Sequence, residues 1–127
     1  MLGTVGTRDR QHLGRIGEDA ALADYTARGY RSMARNWRCT LGEIDLVLTR
    51  GSLLVVCEVK ARRDGEFGGP FDAVTAAKQR KLRALAVAFL DAMRRDGRTA
   101  SFDVRFDVAS VDLHARPPHV EYVVAAF

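Results

Sequence analysis

No apolar run in this 127-residue chain approaches the roughly 18 residues that a membrane-spanning helix needs. The opening residues also lack the apolar core of a signal peptide. A membrane partner is therefore not expected, and a cytoplasmic location is. Cysteine is nearly absent: Cys39 and Cys57 are not in CxxC spacing, and Cys57 falls in an apolar run where a reduced, buried thiol is the default. The three histidines, His12, His114 and His119, show no ligand spacing with cysteine or carboxylate, so none is given a site. Repeats, low-complexity stretches and linkers are also missing. Residues 11–127 are expected to form a single domain, preceded by a flexible tail over 1–10.

What is present suits one soluble core. Hydrophobic residues make up 47% of the chain, the net charge is +4 and the isoelectric point is about 9.5. The charge favours anionic partners, nucleic acid foremost. Leu13, Ile16, Ala20, Ala23 and Ala27 recur at helical spacing, predicting a helix from about Arg10 to Arg28 that stops at Gly29. Gly14 and Gly17 lower its propensity and are expected to permit close backbone approach. Tyr30 to Arg38 reads as a strand with Trp37 in the core. A second helix is predicted over about Thr75 to Asp96, with Thr75 as N-cap, Gly97 as stop, and a stripe of Leu82, Leu85, Ala86, Phe89 and Met93. Phe102 to Val108 alternates as a half-buried strand, and Val120 to Val124 gives a short last one.

Charge in the middle of the chain is harder to place. Gly42–Leu48 and Leu53–Lys60 are rich in Val, Ile and Leu and are separated by Thr49-Arg50-Gly51-Ser52, which reads as a β-hairpin. Yet Asp45, Glu58 and Lys60 lie inside it, and burying an unpaired charge is costly. With Gly51-Ser52 as a two-residue turn, Arg50 faces Leu53, Asp45 lies opposite Glu58, and Glu43 lies opposite Lys60. A four-residue loop would slide the register but keep Asp45 on the face of Glu58; an odd-length loop would separate them. Two carboxylates on one face repel unless a cation lies between them, and Mg²⁺ commonly takes one or two carboxylates plus waters and phosphates. A surface salt-bridge cluster is the alternative. Against it, Leu54 and Val56 on one face, with Val55, Cys57 and Val59 on the other, mark a strand covered on both sides.

The chain resembles the YraN-like family of the PD-(D/E)xK nuclease superfamily, related to Holliday junction resolvases. The resemblance is carried by Gly14-Arg15-Ile16-Gly17-Glu18, Ala34-Arg35-Asn36-Trp37-Arg38, Gly42-Glu43-Ile44-Asp45-Leu46, Glu58-Val59-Lys60-Ala61-Arg62, Phe67-Gly68, Ala73-Val74-Thr75 with Lys78-Gln79, and Arg105-Phe106-Asp107-Val108. The proline of the superfamily's name is missing, with Ile44 in its place. The resemblance implies an α/β fold with a restriction-endonuclease-like three-layer core, a mixed central sheet flanked by helices, in the order α-β-β-β-α-β-β. It implies a metal-dependent nuclease acting on DNA, with Glu18, Asp45, Glu58 and Lys60 catalytic. Asp45, Glu58 and the Val59 carbonyl would hold Mg²⁺ or Mn²⁺. Junction-cutting relatives act as symmetric dimers, so a homodimer is expected on the same ground.

Arg62, Arg63, Lys78, Arg80, Lys81 and Arg83 form a basic stretch suited to phosphate contact, with Gln79 beside Lys78 at the start of the second helix, whose N-terminus favours phosphate; ordinary solvation is the alternative. Phe67 stacks on a base or plugs the core. Glu43 and Asp107 are read as structural. A second function class stays open: a nucleic-acid-binding module that keeps the nuclease fold without cutting unaided.

Overall fold

In a computed structural model the chain is described over residues 7–62, 74–98 and 101–127, with side chains from residue 11 onward. Arg63 and Phe67, both singled out above, lie outside the described residues. Seven elements follow in order: α1 (Thr7–Ala27), β1 (Arg31–Cys39), β2 (Gly42–Arg50), β3 (Leu53–Arg62), α2 (Ala76–Arg95), β4 (Asp103–Asp112) and β5 (His119–Val123). The α-β-β-β-α-β-β order is the expected one. The first helix starts at Thr7, inside the stretch expected to be a tail; Arg8 and Arg10 there are good helix formers. Among the described residues no helix is long and apolar enough to cross a membrane.

The five strands lie in spatial order β1-β2-β3-β4-β5. Every neighbouring pair is antiparallel except β3 and β4, which run parallel with α2 between them in sequence. The sheet is therefore mixed, as expected. Gly51 takes φ +60, a conformation costly for other residues, and closes the β2–β3 hairpin with Arg50 opposite Leu53.

One helix covers each face. On one, Leu82, Leu85, Ala86, Phe89 and Met93 of α2 pack on Ile44, Val47, Leu54, Val56 and Phe106. Each of these Leu, Ile, Val, Phe and Met side chains, fully buried, contributes about 1.5–3 kcal/mol. Thr75 caps α2 by accepting a hydrogen bond from the Lys78 amide at 3.1 Å. Trp37 joins this layer, its ring edge-on to Phe89 at 5.2 Å. On the other face, Ala21 and Tyr25 of α1 pack with Tyr30, Leu46, Leu48, Val55, Cys57, Ala109 and Val111.

Two expectations are corrected. The β4 strand is exposed at Asp103 and Val104 but buried without alternation from Phe106 to Val111, because α2 covers Phe106 on one face and α1 covers Ala109 and Val111 on the other. Gly17 and Gly14 also differ. A Cβ on Gly17 would come within 2.8 Å of the Ala61 Cβ, so α1 needs glycine there to seat on β3. A Cβ on Gly14 would meet nothing within 4 Å.

Asp107 is the most deeply placed acid, as a structural group. It receives Arg105 through Nε at 2.9 Å and Nη2 at 2.8 Å, the Tyr25 hydroxyl at 2.8 Å and the Ala125 amide at 3.1 Å. Arg105 also donates to the Tyr30 hydroxyl at 3.1 Å. This knot ties α1, β4 and the C-terminal stretch together.

Candidate functional site

The β2–β3 ladder follows the register of a two-residue turn from Arg50↔Leu53 to Leu46↔Cys57. It stops one step short of Asp45 and Glu58. There the alternation of β2 breaks: Ile44 belongs to the α2 layer and Leu46 to the α1 layer, although they are two residues apart. Asp45, between them, turns its carboxylate across to β3, where Oδ2 accepts the Val59 amide at 2.8 Å. A side-chain oxygen thus replaces a backbone carbonyl at the point where the two strands part.

Glu58 lies on β3, and its Oε1 is 2.9 Å from the Lys78 ammonium on the first turn of α2. Glu58, Val59, Lys60, Val74, Thr75 and Lys78 line one cleft of about 380 Å³. Lys60 has no ion-pair partner among the described residues. Lys78 therefore lines the same cleft as Glu58 and Lys60. Gln79 is turned back instead, its Nε2 donating to the Val74 carbonyl at 2.9 Å. Arg80 and Lys81 are exposed, and Lys81 lies over Gly42 at the β1–β2 turn. Arg62 extends β3, its carbonyl accepting from the Leu113 amide.

Glu18 comes from α1 and is buried to 8% exposure. Its Oε1 accepts Asn36 Nδ2 at 3.0 Å and Arg35 Nε at 3.3 Å. Arg35 also pairs with Asp19 at 2.6 Å and donates to the Arg15 carbonyl at 3.0 Å. Asn36 has φ +51, a left-handed conformation that asparagine tolerates better than most residues. These two partners of Glu18 were not read from sequence as site groups; an Arg-Asn pair inside an otherwise regular strand was the available signal. Glu43 faces Arg38 across the β1–β2 pair and bonds its Nε at 2.6 Å, so it engages β1 rather than Lys60.

Asp45 is where these parts meet electrically. Burial pushes its carboxyl up to about 6 from 3.8; the Val59 hydrogen bond opposes this, and the charges of Glu58, Glu18 and Glu43 add to it. Among the described residues no three His, Cys, Asp or Glu side chains gather as a metal-ligating group. Two carboxylates with a nearby backbone carbonyl nevertheless suit a hard cation that keeps water and phosphate among its ligands. The Val59 amide takes one oxygen of Asp45 and the Lys78 ammonium takes one of Glu58. That leaves Oδ1 and Oε2 for such an ion.

Comparison with known proteins identifies the family. A model described as uncharacterised protein family UPF0102 matches residues 17–111, a span holding Glu18, Asp45, Glu58, Lys60 and Lys78. The chain is 45% identical over 135 aligned positions to a UPF0102 protein of Acidothermus cellulolyticus, covering 100% of both chains. A UPF0102 protein of Salinispora tropica is 46% identical over 121 positions, covering 95% of this chain and 97% of that one. One from Rhodococcus jostii is 45% identical over 116 positions, covering 91% and 95%. With the family model spanning most of the chain and relatives matched nearly end to end, the chain belongs to the UPF0102 family, the YraN-like family of PD-(D/E)xK type that its motifs resembled.

Proposed function

We propose that this chain is a metal-dependent nuclease that hydrolyses phosphodiester bonds in DNA, with branched or single-stranded forms as substrates in repair or recombination. The observation that carries the reading is the opening of the β2–β3 ladder at Asp45. It brings that carboxyl into the field of Glu58, Glu18 and Glu43, with Lys60 and Lys78 on the adjoining cleft. Asp45, Glu58 and the Val59 carbonyl would hold Mg²⁺ or Mn²⁺. When bound, such an ion neutralises charge on the scissile phosphate and acidifies a water.

The protein's own groups supply the rest. Lys60, unpaired among the described residues, orients the attacking water or takes its proton. As an ammonium, the alternative role, it offsets the negative charge that grows on the phosphate as water adds and the P–O bond breaks. Lys78, now on Glu58, is placed to transfer its charge to an arriving phosphate. Glu18, fixed by Arg35 and Asn36, adds negative charge beside Asp45.

A specific observation favours a second reading, a nucleic-acid-binding module with little activity in isolation. Lys78 already neutralises Glu58, and no three-ligand group is found among the described residues. One experiment separates the two. Duplex, single-stranded, flap and four-way-junction DNA are incubated with the protein in Mg²⁺ or Mn²⁺, beside Asp45→Ala and Lys60→Ala. Cleavage lost in both variants supports the enzyme. Binding to every substrate without cleavage, unchanged by either substitution, supports the module.

A further inference from the structure

Besides the cleft lined by Glu58, Val59 and Lys60, the protein has a second one that the proposed chemistry does not use. The second, about 290 Å³, opens beside the first half of α1 and the β1–β2 end of the sheet. Gly14, Arg15, Glu18, Asn36, Arg38 and Glu43 line it, with Gln11 at its edge. Its acids are engaged within the protein: Glu18 by Arg35 and Asn36, Glu43 by Arg38. Its bases have capacity to spare. The Arg15 side chain is exposed, with no ion-pair partner among the described residues. Arg38 spends Nε on Glu43, which leaves its two terminal nitrogens, and its side chain is 76% exposed.

Spare guanidinium forks suit phosphate, and the Gln11 and Asn36 amides suit the edges of a base or sugar. The volume lies at the low end of small-ligand pockets, which start at about 300 Å³. That is room for about one nucleotide. Continuity with the first cleft comes through β2: Glu43 lines the second cleft, and two residues on, Asp45 accepts the amide of Val59, which lines the first.

Gly14 adds an independent observation. Glycine inside a helix costs stability, and Gly17 has a packing reason for it while Gly14 has none, its missing side chain facing open space. The residue stands where a side chain would project into the cleft. A bare helix surface at that point keeps the recess open.

We propose that this cleft is a subsite for a single nucleotide of the strand whose phosphate reaches Asp45, Glu58 and Lys60, held by Arg15 and Arg38 and kept open by Gly14. The identity of that strand rests on the nuclease reading; the presence of a nucleotide site does not.

The test is fluorescence anisotropy with a labelled single-stranded oligonucleotide in Ca²⁺, with its integrity checked on a gel, for wild type, Gly14→Leu and Arg15→Glu. Each variant is expected to weaken binding at least fivefold. The melting temperature of Gly14→Leu should hold or rise, since leucine is the better helix former. Arg15 is exposed, so its variant serves even where Gly14→Leu folds poorly. Wild-type affinity in both variants overturns the subsite, as does a wild-type protein that binds no oligonucleotide. Parallel cleavage assays in Mg²⁺ and Mn²⁺ keep the two claims apart. Weakened variants with no cutting by wild type sustain the subsite and remove the nuclease. Cutting at full rate by both variants with unchanged affinity removes the subsite and sustains the nuclease.

Discussion

Asp107 and Asp45 are carboxylates taken largely out of water within one sheet, and the fold treats them in opposite ways. Asp107, whose side chain is 0% exposed, is surrounded by donors: a bidentate arginine, a tyrosine hydroxyl and a backbone amide. Asp45 has the Val59 amide and three acids around it. The first arrangement satisfies a charge and fixes it. The second leaves a charge under strain, which a cation or a proton relieves. Burial alone therefore does not separate a structural acid from a candidate functional one; the sign of the neighbours does.

The sharpest way to break the contrast is Asp45→Ala. DNA cleavage in Mg²⁺ is expected to fall at least about a thousandfold, roughly 4 kcal/mol of barrier. A variant that keeps cutting at near wild-type rate would remove Asp45 from the chemistry. Asp107→Ala should act on the other side of the comparison, costing about 3 kcal/mol of stability because it strands the buried end of Arg105. That lies at the low end for a broken buried pair, since the Arg105 side chain is 21% exposed. Urea unfolding measures it, and cleavage per folded molecule should be unchanged.

The pH dependence follows from the raised Asp45 carboxyl. A group that binds its proton more tightly folded than unfolded contributes stability that is complete below its ordinary 3.8 and is lost as pH rises through about 6. In chelator, Asp45→Asn should match wild type near pH 4. Above pH 6 it should be the more stable protein, by about 2 kcal/mol once solvent screening is allowed for. Thermal melts across that range check the sign, and a wild type more stable than the variant at neutral pH would reverse the picture. The smallest effect is expected from Lys78→Met. Its pair with Glu58 is partly solvated, at 43% and 17% side-chain exposure, so its loss is worth about 0.2–1 kcal/mol. Mn²⁺ binding without DNA should tighten by no more than about fivefold, measured by calorimetry.

Much of this was legible in the sequence, for reasons tied to local chemistry. The Gly51-Ser52 turn fixed the hairpin register, and Thr75, Gly97 and the Leu82–Met93 stripe bounded α2, because turns, caps and periodicity are written in adjacent residues. The same count predicts Asp45 opposite Glu58, but the paired register ends at Leu46 and Cys57, one step before them. The reach of Asp45 to the Val59 amide was not legible, because alternation assumes a regular strand and β2 departs from it there. Glu18's hold by Arg35 and Asn36 joins a helix to a strand through a left-handed residue, which no spacing rule encodes. The burial of β4 on both faces depends on the two helices packed over the sheet. Its alternating pattern reports the local strand and not the layers above and below it.

The parallel pairing of β3 with β4 has a consequence for how the molecule is made. The hairpin that carries Asp45, Glu58 and Lys60 joins consecutive segments and can close early. The other edge of β3 finds its partner only after the chain has passed through α2. Until then Leu53-Leu54-Val55-Val56-Cys57 presents an unpaired, uncharged row of backbone groups, a template for a neighbouring nascent chain. Folding yield is thus set by how promptly β4 arrives, and a chain ending before Asp103 is expected to aggregate.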